Sequence, residues 1–437
     1  MIINYKQKRL LTLLFIIGIS AICRGQITLD SCRVWAKDNY PAIQRYELIQ
    51  KSSEYTIDNV AREWMPKVTL SAQGSYQTDA ANMGDVWNIM GLTSMLEAMN
   101  KDMPDMYMRK LQGKVQIDIQ QIIWDGGQSL SEKRLAIADM QSQKARLDVD
   151  FHQLDNRVLA VYFGTLLLDE QLRGLDYTDS LLKANYSRAK TLYENNMVLR
   201  SDVEAVEVEM LSLEQKRLQL LYQSNAYRKM LSLLIGKTIT TEKLLLPAEI
   251  VINLKAQKAP QWRLFDTQKE YIEMQKKSIL SFSMPHISAF AQWWYGYPTL
   301  NMFEAMQSSK WGLSGIVGLR LQWNIDAYYT QKNKLKQLDI AKHEIDIQED
   351  VFRYNQEINT IEENNNIIRL RETLENDNKI INLRKNIRQA AEIKYENGII
   401  TISELLQRIS EESVAKSAKV LHKIEYIKVQ YELQNQL

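Results

Sequence analysis

The sequence predicts a mostly helical chain with four β-strands, built as two copies of one unit. The strands belong to a transmembrane β-barrel that other copies of the chain must complete, and long coiled-coil helices continue it. Three observations predict this: an internal repeat spanning the chain, four alternating strand-like segments, and helical runs too long for a compact domain. Met65-Pro66 matches Met284-Pro285, Asp125 matches Asp326, and Tyr193-Glu194-Asn195-Asn196 matches Tyr395-Glu396-Asn397-Gly398. The offset stays near about 200 residues along the long helices and slips only between the strands, so the first hairpin has the longer loop. The expected boundaries are a signal peptide over 1–25, a first repeat over 26–235, a linker over 236–260 and a second repeat over 261–437.

Lys6, Lys8 and Arg9 form a basic start, and Leu10 to Ile22 is an apolar run too short to span a bilayer. Cys23-Arg24-Gly25 puts small residues at the −3 and −1 positions, so cleavage after Gly25 is expected. A lipidated Cys23 and a retained N-terminal anchor are the alternatives. The bulky Ile22 disfavours lipidation. No later stretch is continuously apolar for the length of a membrane helix, so membrane residence would have to use strands. After cleavage only Cys32 remains, which excludes an intrachain disulfide.

The 55 basic and 53 acidic residues nearly cancel, giving a formal charge of +2 that argues against electrostatic nucleic-acid binding. The 16 glycines and 7 prolines are few, as long helices require. Trp64, Trp124, Trp293, Trp294, Trp311 and Trp323 all sit in or beside the strand-like segments.

The first strand, Lys67 to Tyr76, places Val68, Leu70, Ala72, Gly74 and Tyr76 on one face and Lys67, Thr69, Ser71, Gln73 and Ser75 on the other. The second, Lys114 to Gln120, alternates as strictly. The third runs from His286 to Tyr295, with Ile287, Ala289, Ala291, Trp293 and Tyr295 on one face. The fourth runs from Gly312 to Trp323, with Leu313, Val317, Leu319, Leu321 and Trp323 against Ser314, Arg320 and Gln322. Apolar-out, polar-in segments of about ten residues with aromatic ends are the pattern of outer-membrane barrels. Two soluble hairpins packed on helices are the bland alternative. Four strands cannot close a barrel, and lipid does not tolerate open edges, so other copies must complete it. Three copies would give twelve strands.

After Asp125-Gly126-Gly127 the chain reads as helix to Tyr193. Its seam is Leu147, Phe151, Leu154, Val158, Val161, Thr165, Leu168, Leu172, Leu175, Asp179, Leu182, Tyr186, Ala189 and Tyr193, in steps of four and three. Such a run would extend about 100 Å. The return helix repeats the rhythm from Val203 to Leu234. The run from Gln331 to Tyr395 has a weaker seam, interrupted by Glu362-Glu363-Asn364-Asn365-Asn366. Those residues read as a solvated face or as the lining of a water-filled lumen. Gly236 to Pro260 reads as a linker with a short strand or helix of its own.

Both helical hairpins reverse through related residues. Asn196 and Gly398 occupy the position where a helix ends in a left-handed residue. Ser201 with Glu204, and Thr401 with Glu404, are candidate capping boxes for the return helices. An enzyme is not expected. The four histidines lack metal-ligand spacing, phosphate-loop and nucleophile-elbow motifs are absent, and the carboxylates read as solvated helix faces.

The repeat, the paired strands and these turns resemble the TolC-like outer-membrane efflux family over essentially the whole mature chain. In that family each turn carries a tyrosine or related residue, a glycine, a small or hydroxyl residue three later and an acid six later. Tyr395, Gly398, Thr401 and Glu404 match. In the first turn Tyr193 and Asp202 match, while Asn196 replaces the glycine and Leu199 the hydroxyl residue. Trp124-Asp125-Gly126-Gly127 resembles the aromatic-Asp-Gly-Gly passage from strand to helix, and Ile325-Asp326-Ala327 is its degraded second copy. The resemblance implies a trimeric 12-stranded transmembrane β-barrel continued by a periplasmic α-helical barrel. The tips would form an aperture and meet a periplasmic adaptor (membrane fusion) protein of an inner-membrane transporter. Glu404 would contribute to an acidic ring at the entrance. Some family members close the tip with an arginine two residues after the second-turn glycine; here Ile400 stands there, and Gln407 replaces a second entrance acid. The implied function is the outer-membrane channel of a tripartite efflux or type I export system, a passive duct without cofactor or metal. An exported coiled-coil scaffold without a pore is the alternative. The substrate and the class of pump, RND, ABC or other, are not written in this chain.

Overall fold

The computed structural model describes residues 27–239, 242–252 and 259–436, apart from 92–93, 96–97 and 100–106. The expected signal segment and Cys23 lie outside the described residues, as do parts of the expected linker. The element order is α1 (Leu29–Asn39), a short 3-10 turn (Pro41–Gln44), α2 (Arg45–Arg62), β1 (Lys67–Tyr76), α3 (Met83–Ile89), β2 (Leu111–Trp124), α4 (Gln128–Glu194) and α5 (Arg200–Ile235). It continues with α6 (Pro260–Phe282), β3 (His286–Tyr297), α7 (Met302–Ser308), β4 (Gly312–Gln322), α8 (Ala327–Glu396) and α9 (Ile402–Gln436). Helix, strand, loop, strand, long helix and return helix thus occur twice in order. The short helices α3 and α7, one in each strand-to-strand loop, were not legible in the sequence. No helix among the described residues is long and apolar enough to cross a membrane.

Two compact units divide the chain, and each draws on both halves of the sequence. One, formed by Glu47–Gln143 and Asp266–Asp346, holds the sheet. Its four strands are antiparallel in the order β1-β2-β3-β4. Register aligns the expected faces across the sheet. Leu70 lies opposite Ile117, Ile117 opposite Trp293, Ala291 opposite Val317 and Ala289 opposite Leu319. Among the described residues the apolar face has no covering layer: Leu70 is 70% exposed and Leu319 72%. On the other face Gln116 and Gln292 both donate to Asp118 Oδ1, at 2.6 and 2.7 Å. The outer edges of β1 and β4 have no partner strand among the described residues. Exposed Trp64, Trp124 and Trp323 mark one end of the strands, and Tyr76, Tyr295 and Trp311 lie toward the other.

The other unit takes the residues up to Tyr46, Lys144–Phe265 and Ile347 onward. Its long helices pack α5 on α4, α4 on α9 and α9 on α8, and near the tips α5 also meets α9. Ser224 of α5 donates to Asp169 of α4 at 2.9 Å. The hydroxyls of Thr178 on α4 and Ser413 on α9 meet at 2.5 Å. His422 of α9 meets Asp377 of α8 at 2.7 Å. The expected α4 seam is buried or half-buried from Leu147 to Ala189, and only Tyr193, at the tip, is exposed. Leu159, Phe163, Leu166 and Asn185 are buried as well, so the stripe is wider than a two-helix seam. A helix flanked on both sides buries more than one face.

The polar run Glu362 to Asn366 does not break α8, which is continuous across it while Ile367 and Leu370 bury the apolar side. The linker supplies a short parallel bridge: the Leu245 amide donates to the Ile27 carbonyl at 3.1 Å. Tyr162 holds the same place, donating to Ile27 O at 2.9 Å and Leu245 O at 2.6 Å. Cys32 is fully buried, and burial pushes its thiol up to about 12, so it is a packing residue.

Candidate functional site: helical tips and strand-to-helix turns

The two tips end their outgoing helices in the same way. Asn196 and Gly398 adopt positive φ, 58° and 70°. In the first, the Met197 amide donates to Leu192 O at 2.9 Å and the Asn196 amide to Tyr193 O at 2.9 Å. In the second, Ile399 donates to Lys394 O at 2.9 Å and Gly398 to Tyr395 O at 3.0 Å. Both are Schellman closures, which satisfy the last helical carbonyls and need a left-handed residue. Gly398 adopts that conformation freely, whereas Asn196 is one of the few side-chain-bearing residues that tolerate it.

The second return helix starts at its expected cap, and the first starts two residues before it. The Ser201–Glu204 box does not form. Helix α5 begins at Arg200 with Leu199 as its N-cap. Leucine has no side-chain oxygen to offer, so only the acid's half of a box exists: the Leu199 amide donates to Asp202 at 3.0 Å. Glu204 instead pairs with Arg200 at 2.8 Å. In the second tip Thr401 is the cap and accepts the Glu404 amide at 3.3 Å. Asp202 and Glu404 are therefore equivalent third residues of their helices, and the Glu404 side chain is exposed.

Both tips share one core. Leu182, Ala189, Val206, Ala391, Leu405 and Ile409 bury together, and Tyr395 and Ile400 pack against them. Ile400 thus closes the turn by packing. Burial pushes the Tyr395 hydroxyl up, the Asp202 carboxylate adds to this and Arg188 opposes it. Arg188 also reaches Glu396 at 3.2 Å. Gln407, where a second entrance acid was sought, donates to Glu411 at 3.2 Å. Arg408 hydrogen-bonds Glu411, and Arg384 adds its charge, so that carboxyl lies below the ordinary range.

One turn of α9 further on is a feature that sequence reading missed. Glu412 is 1% exposed and ion-paired to Arg388 and, at 2.7 Å, to Lys416. The reading of helix carboxylates as solvated fails here, and at buried Asp377. The only sequence signal was the position of Glu412, three residues after Ile409 on the apolar stripe of α9.

The strand-to-helix turn is built by Asp125. Its Oδ1 accepts the Gly127 amide at 2.9 Å, and its Oδ2 accepts the Ser129 amide at 2.7 Å and the Ser129 hydroxyl. Burial opposes ionisation of this carboxyl, but the Ser129 and Gly127 bonds outweigh it and hold it below the ordinary range. Gly126 has φ of +66°, and a Cβ there would stand 2.5 Å from Met284 Cβ, so glycine is required twice over. Trp124 is exposed at the strand end. In the second copy Asp326 is exposed, and backbone bonds shape the turn, with Tyr328 donating to Ile325 O at 3.2 Å. The tip residues and the strand-to-helix turn belong to different compact units.

No family profile and no curated protein matches the sequence. Solved structures do match. The outer-membrane protein VceC from Vibrio cholerae is similar at 12% identity over 93% of this chain and 96% of that one, with a TM-score of 0.68. The outer-membrane channel CmeC from Campylobacter jejuni is 13% identical over 93% of this chain and 85% of that one, at 0.66. CusC, described as forming a transmembrane channel, is 10% identical over 94% of this chain and 91% of that one, at 0.69. At such identities the likeness is one of architecture: the chain has the fold of outer-membrane channel proteins such as VceC and CmeC.

Proposed function

We propose that this protein is a TolC-like outer-membrane efflux channel. It works as a homotrimer that gives a passive duct from periplasm to exterior, within a tripartite efflux or type I export system. Three sheets close a 12-stranded barrel in lipid, and the long helices form the periplasmic barrel. The tips dock to a periplasmic adaptor and, through it, to an inner-membrane transporter. The observation that carries this reading is a sheet with one bare apolar face and two unpaired edges. In water such a sheet is an aggregation site; in lipid with closed edges it is a barrel wall.

The helices of the other unit also offer surfaces that further copies could cover. Helices α5 and α8 each keep an exposed seam. On α8 it runs Ile347, Val351, Tyr354, Ile358, Ile361 and Ile368. On α5 it runs Val208, Leu211, Leu218 and Tyr222. Steps of four and three are what a further helix would fill. A contact between two different edges is heterologous, and it gives a ring where its rotation closes.

The pore-free scaffold differs in a measurable way. The duct should need detergent for extraction and give three chains by native mass measurement. Release by high salt or urea, or a monomer that still resides in the membrane, overturns the channel reading.

At the tip, Glu404 would bring three carboxylates to one aperture. Glu404→Gln is expected to leave trimer stability nearly unchanged, because Thr401 and not the carboxylate caps the helix. It should lower cation preference in single-channel recordings, with the largest difference at low salt. Selectivity identical to wild type would reduce Glu404 to a surface residue. With Gln407 bound to Glu411 rather than adding a second acid, block by multivalent cations should be weak.

A further inference from the structure

The polar face of the sheet is basic. Register puts Lys67, Lys114 and Arg320 on it against one aspartate, Asp118, whose Oδ1 already accepts from Gln116 and Gln292. Among the described residues no carboxylate pairs with Lys114 or Arg320. Each lies over a ring instead. The Arg320 guanidinium is 4.9 Å from the centroid of Phe290, and the Lys114 ammonium is 5.7 Å from that of Trp294. Phe290 has room because its neighbour across the pair is Gly318, where a Cβ would stand 2.9 Å from the ring.

Lys114 and Trp294 also border an open cavity of about 440 Å³ at the loop end of this face, where Gln73, Gln112 and Ser75 add amides and a hydroxyl. That volume is in the range that takes small organic ligands. An aromatic face beside an unpaired ammonium, rimmed by neutral hydrogen-bonding groups, complements one chemical class. A planar ring stacks on the indole in place of the ammonium, which moves aside to meet the ring's anionic substituent.

We infer that this cavity is a binding subsite for planar aromatic anions on the luminal wall near the exterior mouth. The Arg320–Phe290 pair offers a second such contact further along the strands. The inference rests on the duct reading, since it needs the polar face to line water. It gives the passage two chemically different ends, acidic at the tip and basic-aromatic in the sheet. An anionic aromatic solute would be favoured over a cationic one in the barrel portion.

The test uses the full-length trimer in planar bilayers, with 1-naphthalenesulfonate added on the loop side. Methanesulfonate, which has the charge without the ring, is the comparison. Naphthalenesulfonate should block the current at concentrations at least about tenfold lower than methanesulfonate, the factor expected of one stacking contact. Lys114→Gln should raise the blocking concentration about tenfold, and Lys114→Arg should leave it near wild type. Trp294→Leu should bring the two sulfonates to similar potency. Native mass of each variant checks that the trimer is intact. Equal block by the two sulfonates in the wild type, or block unchanged in Lys114→Gln, overturns the inference and leaves the duct standing. A wild-type trimer that conducts no current overturns both.

Discussion

Leu319→Arg is expected to abolish assembly of the protein in the membrane. Leu319 stands on β4, on the bare apolar face, 72% exposed and opposite Ala289. If that face meets lipid, an arginine near the mid-plane costs about 2–4 kcal/mol per chain, and a trimer carries it three times, about 6–12 kcal/mol. That is comparable to the whole stability of a typical domain. Val115→Arg on β2 should behave similarly, since Val115 shares the face and lies opposite Tyr295. Gln116→Arg, one residue away on the other face, should be tolerated. It adds a cation beside Asp118, which already accepts from Gln116 at 2.6 Å. The measurement is the yield of membrane-extracted trimer for each variant. Equal yields for Leu319→Arg and Gln116→Arg would mean that the faces are assigned the wrong way round.

Arg388→Met is expected to be the most damaging single change in the helices. It removes one of the two cationic partners of Glu412, a carboxylate 1% exposed, leaves it with Lys416, and also takes Arg388 from Glu392. Breaking a buried pair on one side costs about 3–5 kcal/mol, because an uncompensated charge remains inside. The double variant Arg388→Met with Glu412→Leu should recover much of the loss, since a well-packed apolar pair is often as stable as the ion pair. Thermal unfolding of the detergent-solubilised protein, followed by helical signal at fixed concentration, tests both. A double variant as damaged as the sum of its singles would rule out the pairing. The pH dependence follows from the same site. Burial of Glu412 disfavours its charge, but Lys416 and Arg388 more than offset this, so its folded pKa lies below the ordinary glutamate value. The pair's contribution is therefore full above that ordinary value and is lost as pH falls through the depressed one. Wild type should lose stability in acid across that window, and the apolar double variant should lose less.

Several features were legible because they are local. Alternation in β1 to β4 comes from a backbone period of two, which any strand must obey. Asn196 and Gly398 announce their turns because left-handed geometry admits few residue types. The α4 seam shows because burial repeats every three or four residues whatever lies opposite. The capping of α5 was misplaced by two residues for a related reason. Ser201 is the better capping residue in isolation, but Met197 and Asn196 closed the preceding helix and the connecting chain reached α5 at Leu199.

The chain by itself determined the four strands and their alternation, the long helices and the two reversals at their tips. Each depends on residues close together in sequence. Only the tertiary structure decided that α4 packs on both α5 and α9, and that α8 packs on α9 with its Ile347-to-Ile368 stripe bare. It also decided that Glu412 is buried against Arg388, that Ile400 packs the tip, and that Lys114 lies over Trp294. Those are contacts between residues far apart in the chain. A helix's own periodicity says which stripe is apolar, but not which neighbour covers it, and a charge becomes a buried partner only when another helix arrives.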